Sequence, residues 1–258
     1  MPVITLTTDL GNKDFYIPLV KGCILSAMPS ANIIDITHQI QPFNLAEASF
    51  ILKGCYAGFP EGTVHIVSVD SDNNSSPEFI AVKTEKYVFI SYDNGLVSLV
   101  LEKENIKSIV KIPVSSPGQL VFPLKDLMVP AAIKLLEGAL LEEIGTPAQS
   151  FRQKTHLHPL IEESIIRGNV IYNDNLGNAI TNITQNMLDT SAKGRKFIIH
   201  INRQERIDKI SKHYGEVPAG EKLCLCGAAG YLEIAINQGA ASGLLGLRPG
   251  NSILIEFL

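Results

Sequence analysis

Thr5-Leu6-Thr7-Thr8-Asp9-Leu10-Gly11-Asn12-Lys13-Asp14 follows an apolar start at Val3 and Ile4 and runs into Phe15-Tyr16-Ile17-Pro18-Leu19-Val20-Lys21-Gly22-Cys23-Ile24-Leu25. This order reads as a buried first strand, a turn at Gly11 and then a helix. Pro18 falls in the first helical turn, where backbone N–H groups lack intrahelical partners, and Asp14 is placed to cap it. Asp9 and Asp14 then project from the carboxyl end of a first strand, where open α/β sheets bind ligands. The glycine spacing is not the phosphate-cradling GxGxxG, and acidic groups repel a phosphate. Such a mouth suits a ligand with hydroxyls or positive charge.

Working outward, Asn32 to Thr37 reads as a second strand ending at His38. Asn44 is placed to cap a helix through Leu45 to Leu52, with Glu47 three residues on to strengthen the cap. Thr63 to Val69 is a third strand that delivers Asp70 at its end. Alternating strand and helix predict a Rossmann-like, doubly wound, mostly parallel sheet. Phe79–Val82 and Tyr87–Ser91 are further strand-like runs, and Asn94-Gly95 makes a turn before the apolar run Leu96–Val100. A helix is expected over Asp126–Leu141. Thr146–Pro159, with two prolines, Arg152, Lys154, two histidines and no apolar period, is where a boundary falls. Beyond it, Ser164–Asn173, Phe197–Asn202, Lys222–Cys226 and Ser252–Phe257 are short strands without long helices between them, the profile of an antiparallel β-barrel or sandwich. The expected organisation is an α/β domain over 1–152, a linker over 153–162 and a β domain over 163–258.

The composition is that of an ordinary globular chain: 258 residues, 45% hydrophobic and 19% charged. A net charge of −4 without any Lys/Arg block argues against nucleic acid as the main partner. No apolar run reaches the roughly 18 residues of a membrane span, and the N-terminus lacks a signal-peptide pattern. No membrane partner and a cytoplasmic location are expected. Cys23, Cys55, Cys224 and Cys226 form no CxxC, so reduced thiols packed as small apolar groups are the simple reading.

Three further stretches carry polar chemistry. Asp70-Ser71-Asp72-Asn73-Asn74-Ser75-Ser76 is either a solvated Asx-rich turn or a ligand loop. Asp174-Asn175-Leu176-Gly177-Asn178-Ala179-Ile180-Thr181-Asn182 clusters amides around a glycine, able to pair with an adenine edge or to make a hairpin turn. Gly227 to Ala241 is rich in small residues that permit close backbone approach, to a ligand or to a neighbouring strand. GxSxG, the P-loop and HExxH are absent, and the six histidines are scattered. The residues alone therefore point to a small-molecule site at the sheet's carboxyl edge.

Taken in order, these stretches resemble the S-adenosylmethionine hydroxide adenosyltransferase family, relatives of the fluorinases and chlorinases. The pieces are Thr7-Thr8-Asp9-Leu10-Gly11 with Asp14, Lys21-Gly22, Asp35-Ile36-Thr37-His38, and Phe59-Pro60-Glu61-Gly62-Thr63-Val64-His65. Asp93-Asn94-Gly95-Leu96, Asp174-x-Leu176-Gly177-Asn178 with Thr181-Asn182-Ile183, and Gly230-Tyr231-Leu232-Glu233-Ile234-Ala235 continue the match. The resemblance implies a homotrimer with the adenosyl ligand held between one subunit's N-terminal domain and a neighbour's C-terminal domain. It implies S-adenosylmethionine as substrate, no cofactor and no metal. Asp9 would hold the ribose diol, Phe43 would form the aromatic wall, Asn178 would read the adenine edge and Asp174 would meet the methionine ammonium. Asp14, Asn73, Phe122, Ala228, Tyr231 and Ala240 complete the implied binding set, and Asp70 is the implied catalytic residue. The hydrolytic members use an Asp–Arg–His set; here Pro77 stands at the arginine position and Pro123 at the histidine position. The implied reaction is attack by water or hydroxide on ribose C5′ to give adenosine and methionine. The alternatives are an adenosyl-binding protein without turnover and, from the strand-end carboxylates, a metal-dependent nucleoside hydrolase.

Overall fold

Every residue of β1 (Val3–Thr8) except the first is buried, as expected of a strand covered on both faces. The computed structural model describes residues 1–69, 77–101, 105–114 and 120–258. It forms two compact units, Met1–His156 and Leu157–Leu258.

In the first unit β1 leads to α1 (Tyr16–Ala27), β2 (Asn32–Thr37), α2 (Leu45–Cys55), β3 (Val64–Ser68), β4 (Phe79–Thr84) and β5 (Val88–Tyr92). There follow α3 (Leu96–Val100), β6 (Ile106–Ile112), α4 (Val129–Leu136) and β7 (Thr146–Pro147). The strands lie in the order β2-β1-β3-β5-β4-β6-β7. Pairing is parallel from β2 to β5, and β4 runs antiparallel to both its neighbours. Alternation along the strands sends Ile4, Leu6, Val64 and Ile66 to one face against α1 and α4, while Val67, Ile80, Val82 and Phe89 pack with α2 and α3 on the other. The predicted doubly wound α/β class is therefore correct.

Local readings divide. Asn44 caps α2, its side chain accepting from the Glu47 N–H at 3.1 Å, and the Glu47 carboxylate accepts in turn from the Gln41 N–H and the Asn44 amide. Asp14 does not cap α1: the N-cap is Phe15, which has no side-chain cap bond. The run after Gly95 is a short helix, entered by the Leu96 N–H donating to Asn94 Oδ1 at 3.1 Å, with Gly95 at φ +91°. The helix expected over Asp126–Leu141 begins earlier, as a π turn over Leu124–Met128, and stops at Leu136. Gly138, at φ +103°, ends it in a left-handed turn whose N–H groups take the last carbonyls.

The second unit contains β8 (Leu160–Ile161), β9 (Ile165–Asn173), β10 (Ala179–Thr184), α5 (Gln185–Ala192), β11 (Phe197–His200), β12 (Arg206–Ile207) and β13 (Ile210–Ser211). It continues with β14 (Lys222–Cys226), β15 (Tyr231–Ile236), α6 (Ala241–Leu244) and β16 (Ser252–Phe257). The sheet order is β12-β11-β16-β9-β10-β15-β14-β13, curled into a half-barrel and antiparallel apart from β13 on β14. Irregular register on both sides of β10 helps to bend it. Leu188 and Ala192 of α5 pack on Ile166, Ile183 and Ile255 within the curl. Cys224 joins that core and all four cysteines are free; burial pushes the Cys224 thiol up to about 12, which keeps it inert.

Candidate functional site

β1 pairs between β2 and β3, with Thr8 opposite Ser68, so Asp9 leaves the sheet flanked by both neighbouring strand ends. At the β3 end, the Asn94 amide donates to the Val69 carbonyl at 2.8 Å. Gly11 turns at φ +70° and its N–H donates to the His38 carbonyl at 2.7 Å. Before Asp9, Thr8 Oγ1 lies 2.9 Å from His38 Nδ1 and accepts from the Leu10 N–H at 3.3 Å. His38 Nε2 in turn lies 3.1 Å from Asp35 Oδ1, and Lys21 of α1 reaches Asp35 Oδ2 at 2.5 Å. Burial works to raise the Asp35 carboxyl, but the bonds from Lys21 and His38 prevail and hold it below its usual range.

The Asp9 carboxylate is gripped from across the sheet mouth: the Phe43 N–H donates to Asp9 Oδ2 at 3.0 Å. Phe43 does this at φ +67°, a region a bulky residue rarely enters, and the residue is 67% exposed. Backbone strain of this kind collects at ligand clamps. Nearby in sequence, Phe15 and Tyr16 contact each other at 4.5 Å, and Tyr16 meets Phe122 edge-on at 5.4 Å. Asp14 is exposed. Asp70 and Asn73 lie outside the described residues. Pro77 is half-buried, and Pro123 opens the π turn with helical backbone; neither has a side-chain donor.

In the second unit the candidate residues gather at the β9–β10 connection. Asp174 Oδ1 accepts from the N–H groups of Leu176 (3.0 Å) and Asn178 (2.8 Å), and Oδ2 accepts from Asn178 Nδ2 at 2.8 Å. Three of the roughly four acceptor positions of this carboxylate are thus used within its own turn. Gly177 sits at φ +82° against Ala240, where an added Cβ would come 2.6 Å from the alanine Cβ; its carbonyl accepts from the Ser242 N–H at 2.8 Å. Ala240 is thereby brought to the Asp174–Asn178 turn. Ala228 is exposed in a tight turn closed by Gly227 and Tyr231 backbone bonds.

Two residues beside this turn, Tyr214 and Glu233, were not among the expected site residues. The Tyr214 hydroxyl lies 3.4 Å from Asn178 Nδ2 and 3.4 Å from Glu233 Oε2, linking the turn to β15. Burial, then repulsion from Asp174, push the Glu233 carboxyl above its ordinary range against the opposing Tyr214 bond. Burial and the Glu233 charge raise the Tyr214 hydroxyl. The Glu233 carboxylate lies against Gly227, where an added Cβ would come 1.7 Å from Oε1 and would make the flexible end of the glutamate move. Glu233 was findable as the single charge in the otherwise apolar run Tyr231–Ile236, whereas Tyr214 sits in a polar loop that carries no such signal.

Among the described residues, no group of three or more His, Cys, Asp or Glu side chains is placed to hold a metal ion. No described helix is long and apolar enough to cross a membrane. A cavity of about 400 Å³ lined by Ile112, Asp126, Pro130, Lys134, Glu143 and Gly145 contains none of the candidate residues.

Residues 4–145 match the SAM hydroxide adenosyltransferase N-terminal domain, and residues 168–254 match the C-terminal domain of the same name. This chain belongs to the SAM hydroxide adenosyltransferase family. It is 33% identical to an (R)-S-adenosyl-L-methionine hydrolase of Methanocaldococcus jannaschii over 95% of this chain and 92% of that protein. A Thermus thermophilus protein of the same name is 27% identical over 97% and 98% of the two chains. A conserved protein of Thermotoga maritima has the same fold in its crystal structure, with a TM-score of 0.87 at 31% identity, covering 98% of this chain and 99% of that one.

Proposed function

We propose that this protein hydrolyses S-adenosylmethionine to adenosine and methionine. The observation that carries this reading is the near full-length likeness to relatives named (R)-S-adenosyl-L-methionine hydrolase, at up to 33% identity. The oxygen of water or hydroxide bonds to ribose C5′ as the C5′–S bond breaks, the electron pair stays on sulfur, which leaves as the neutral thioether of methionine, and attack by water releases one proton to solvent. The positive sulfonium is already an activated leaving group, so alignment and desolvation of the nucleophile are the main tasks and no cofactor is required.

In this reading Asp9 holds the ribose diol, with Phe43 as the aromatic wall, and Asn178 reads the adenine edge. Asp174 offers its remaining acceptor position to the methionine ammonium. With Pro77 and Pro123 unable to bind water or pass a proton, Asp70 carries the alignment of the nucleophile. The working form is a cytoplasmic homotrimer whose ligand lies between one subunit's N-terminal domain and a neighbour's C-terminal domain. The test is incubation of the pure protein with each sulfonium epimer of S-adenosylmethionine, following products by chromatography. Adenosine and methionine should appear in equal amounts. If the protein binds the substrate yet yields no adenosine above a buffer control, it is a binding protein and the hydrolytic reading is wrong.

A further inference from the structure

His38 is 3% exposed, too deep to meet a ligand, yet it grips the loop bearing Asp9 on both sides. Its ring lies 2.9 Å from the hydroxyl of Thr8, the residue before Asp9, and its carbonyl takes the N–H of Gly11, two residues after, at 2.7 Å. The Asp35 carboxylate lies 3.1 Å from Nε2, at ion-pair distance but without hydrogen-bond geometry, and its negative charge favours the tautomer with hydrogen on Nε2. In that tautomer Nδ1 accepts from the Thr8 hydroxyl, whose oxygen is then oriented to accept from the Leu10 N–H at 3.3 Å. Lys21 anchors Asp35 from α1, so the chain of contacts runs Lys21–Asp35–His38–Thr8–Leu10 and ends beside Asp9. The buried His38–Thr8 pair costs desolvation that an apolar side chain at position 38 would avoid, which argues for a task beyond packing.

We propose that His38 is a positioning residue: it touches no ligand, and it sets the loop conformation in which Asp9 presents its carboxylate to a vicinal diol. This rests on the adenosyl reading above and deepens it. A supporting shell matters at such a site because a displacement of about 1 Å in a binding group removes much of its contribution.

The experiment measures calorimetric affinities for adenosine and 2′-deoxyadenosine in wild type, His38→Ala, His38→Asn and Thr8→Val. The wild type should prefer adenosine. His38→Ala should weaken adenosine binding about tenfold while changing 2′-deoxyadenosine by less than about twofold, collapsing the preference. His38→Asn keeps an acceptor near the position of Nδ1 and should recover part of it. Equal weakening of both nucleosides, or an unchanged preference, would overturn the proposal while leaving the adenosyl reading in place. A wild type that binds both nucleosides equally would instead remove the diol role of Asp9, and one that binds neither would remove the adenosyl reading, the proposal falling in both cases. Should His38→Ala fail to fold, Thr8→Val, which keeps the shape and deletes only the hydroxyl, gives the same reading: retention of the wild-type preference overturns the proposal.

Discussion

Asp9 and Asp174 each stand just past or at the end of a strand, and each opens a turn around a left-handed glycine, Gly11 at φ +70° and Gly177 at φ +82°. What holds them differs. The bonds described for Asp174 come from two and four residues along its own turn, from Leu176 and Asn178. Asp9 is met by the backbone of Phe43, 34 residues away, and its loop is pinned by His38 from the end of a neighbouring strand. One carboxylate organises its own surroundings, and the other is placed by elements that only the folded sheet brings together. The same residue type at the same kind of position can therefore be a local scaffold or a group presented by distant supports.

The contrast is sharpest at Asp174→Ala, which leaves three N–H donors without their acceptor and should destabilise the second unit by about 3 kcal/mol in a thermal or urea melt. A loss under about 1 kcal/mol would mean that the turn does not depend on its carboxylate. Gly177→Ala should cost about 2 kcal/mol, since the left-handed backbone and the clash with Ala240 add together. An unchanged melt would show that Ala240 yields freely. Asp174→Asn keeps an oxygen for the two backbone donors but sets its amide hydrogens against those of Asn178; about 1 kcal/mol is expected, separating backbone from side-chain organisation.

The smallest effect concerns Glu233, whose carboxyl is raised by burial and by Asp174. A raised carboxyl favours the protonated form in the fold, so its contribution to stability is most favourable at low pH and is lost as pH rises through the folded pKa. At neutral pH Glu233→Gln should therefore melt about 2 °C higher than wild type, and the gap should close as pH falls into the ordinary glutamate range. A gap of the same size at both pH values would show that charge is not its cause.

Much of the framework was legible. Strand runs such as Thr63–Val69 and Ser252–Phe257, and the Asn44 cap with Glu47, depend on alternation or on partners within three residues. The misreadings have identifiable causes. Asp14 looks like a cap because aspartate before an apolar helix usually is one, but Phe15 takes that place without a side-chain bond. The over-long helix ending at Leu141 ignored Gly138, which stops it in a left-handed turn. Within the candidate site the Asp174–Asn178 turn was visible as a cluster of amides around a glycine. Tyr214 was not, because 36 residues separate it from the Asn178 amide that it meets.

The sequence by itself determined the class of the fold, the carboxylates placed at the first strand end, and the family, because periodicity, turn chemistry and ordered motifs are written in neighbouring residues. The tertiary structure alone decided how Asp9 is held. Setting β1 between β2 and β3 brings His38 and its Asp35–Lys21 support behind the loop, and it draws Phe43 across the mouth in a strained conformation. Contacts over thirty or more residues depend on strand order, and no local stretch of the chain records that order.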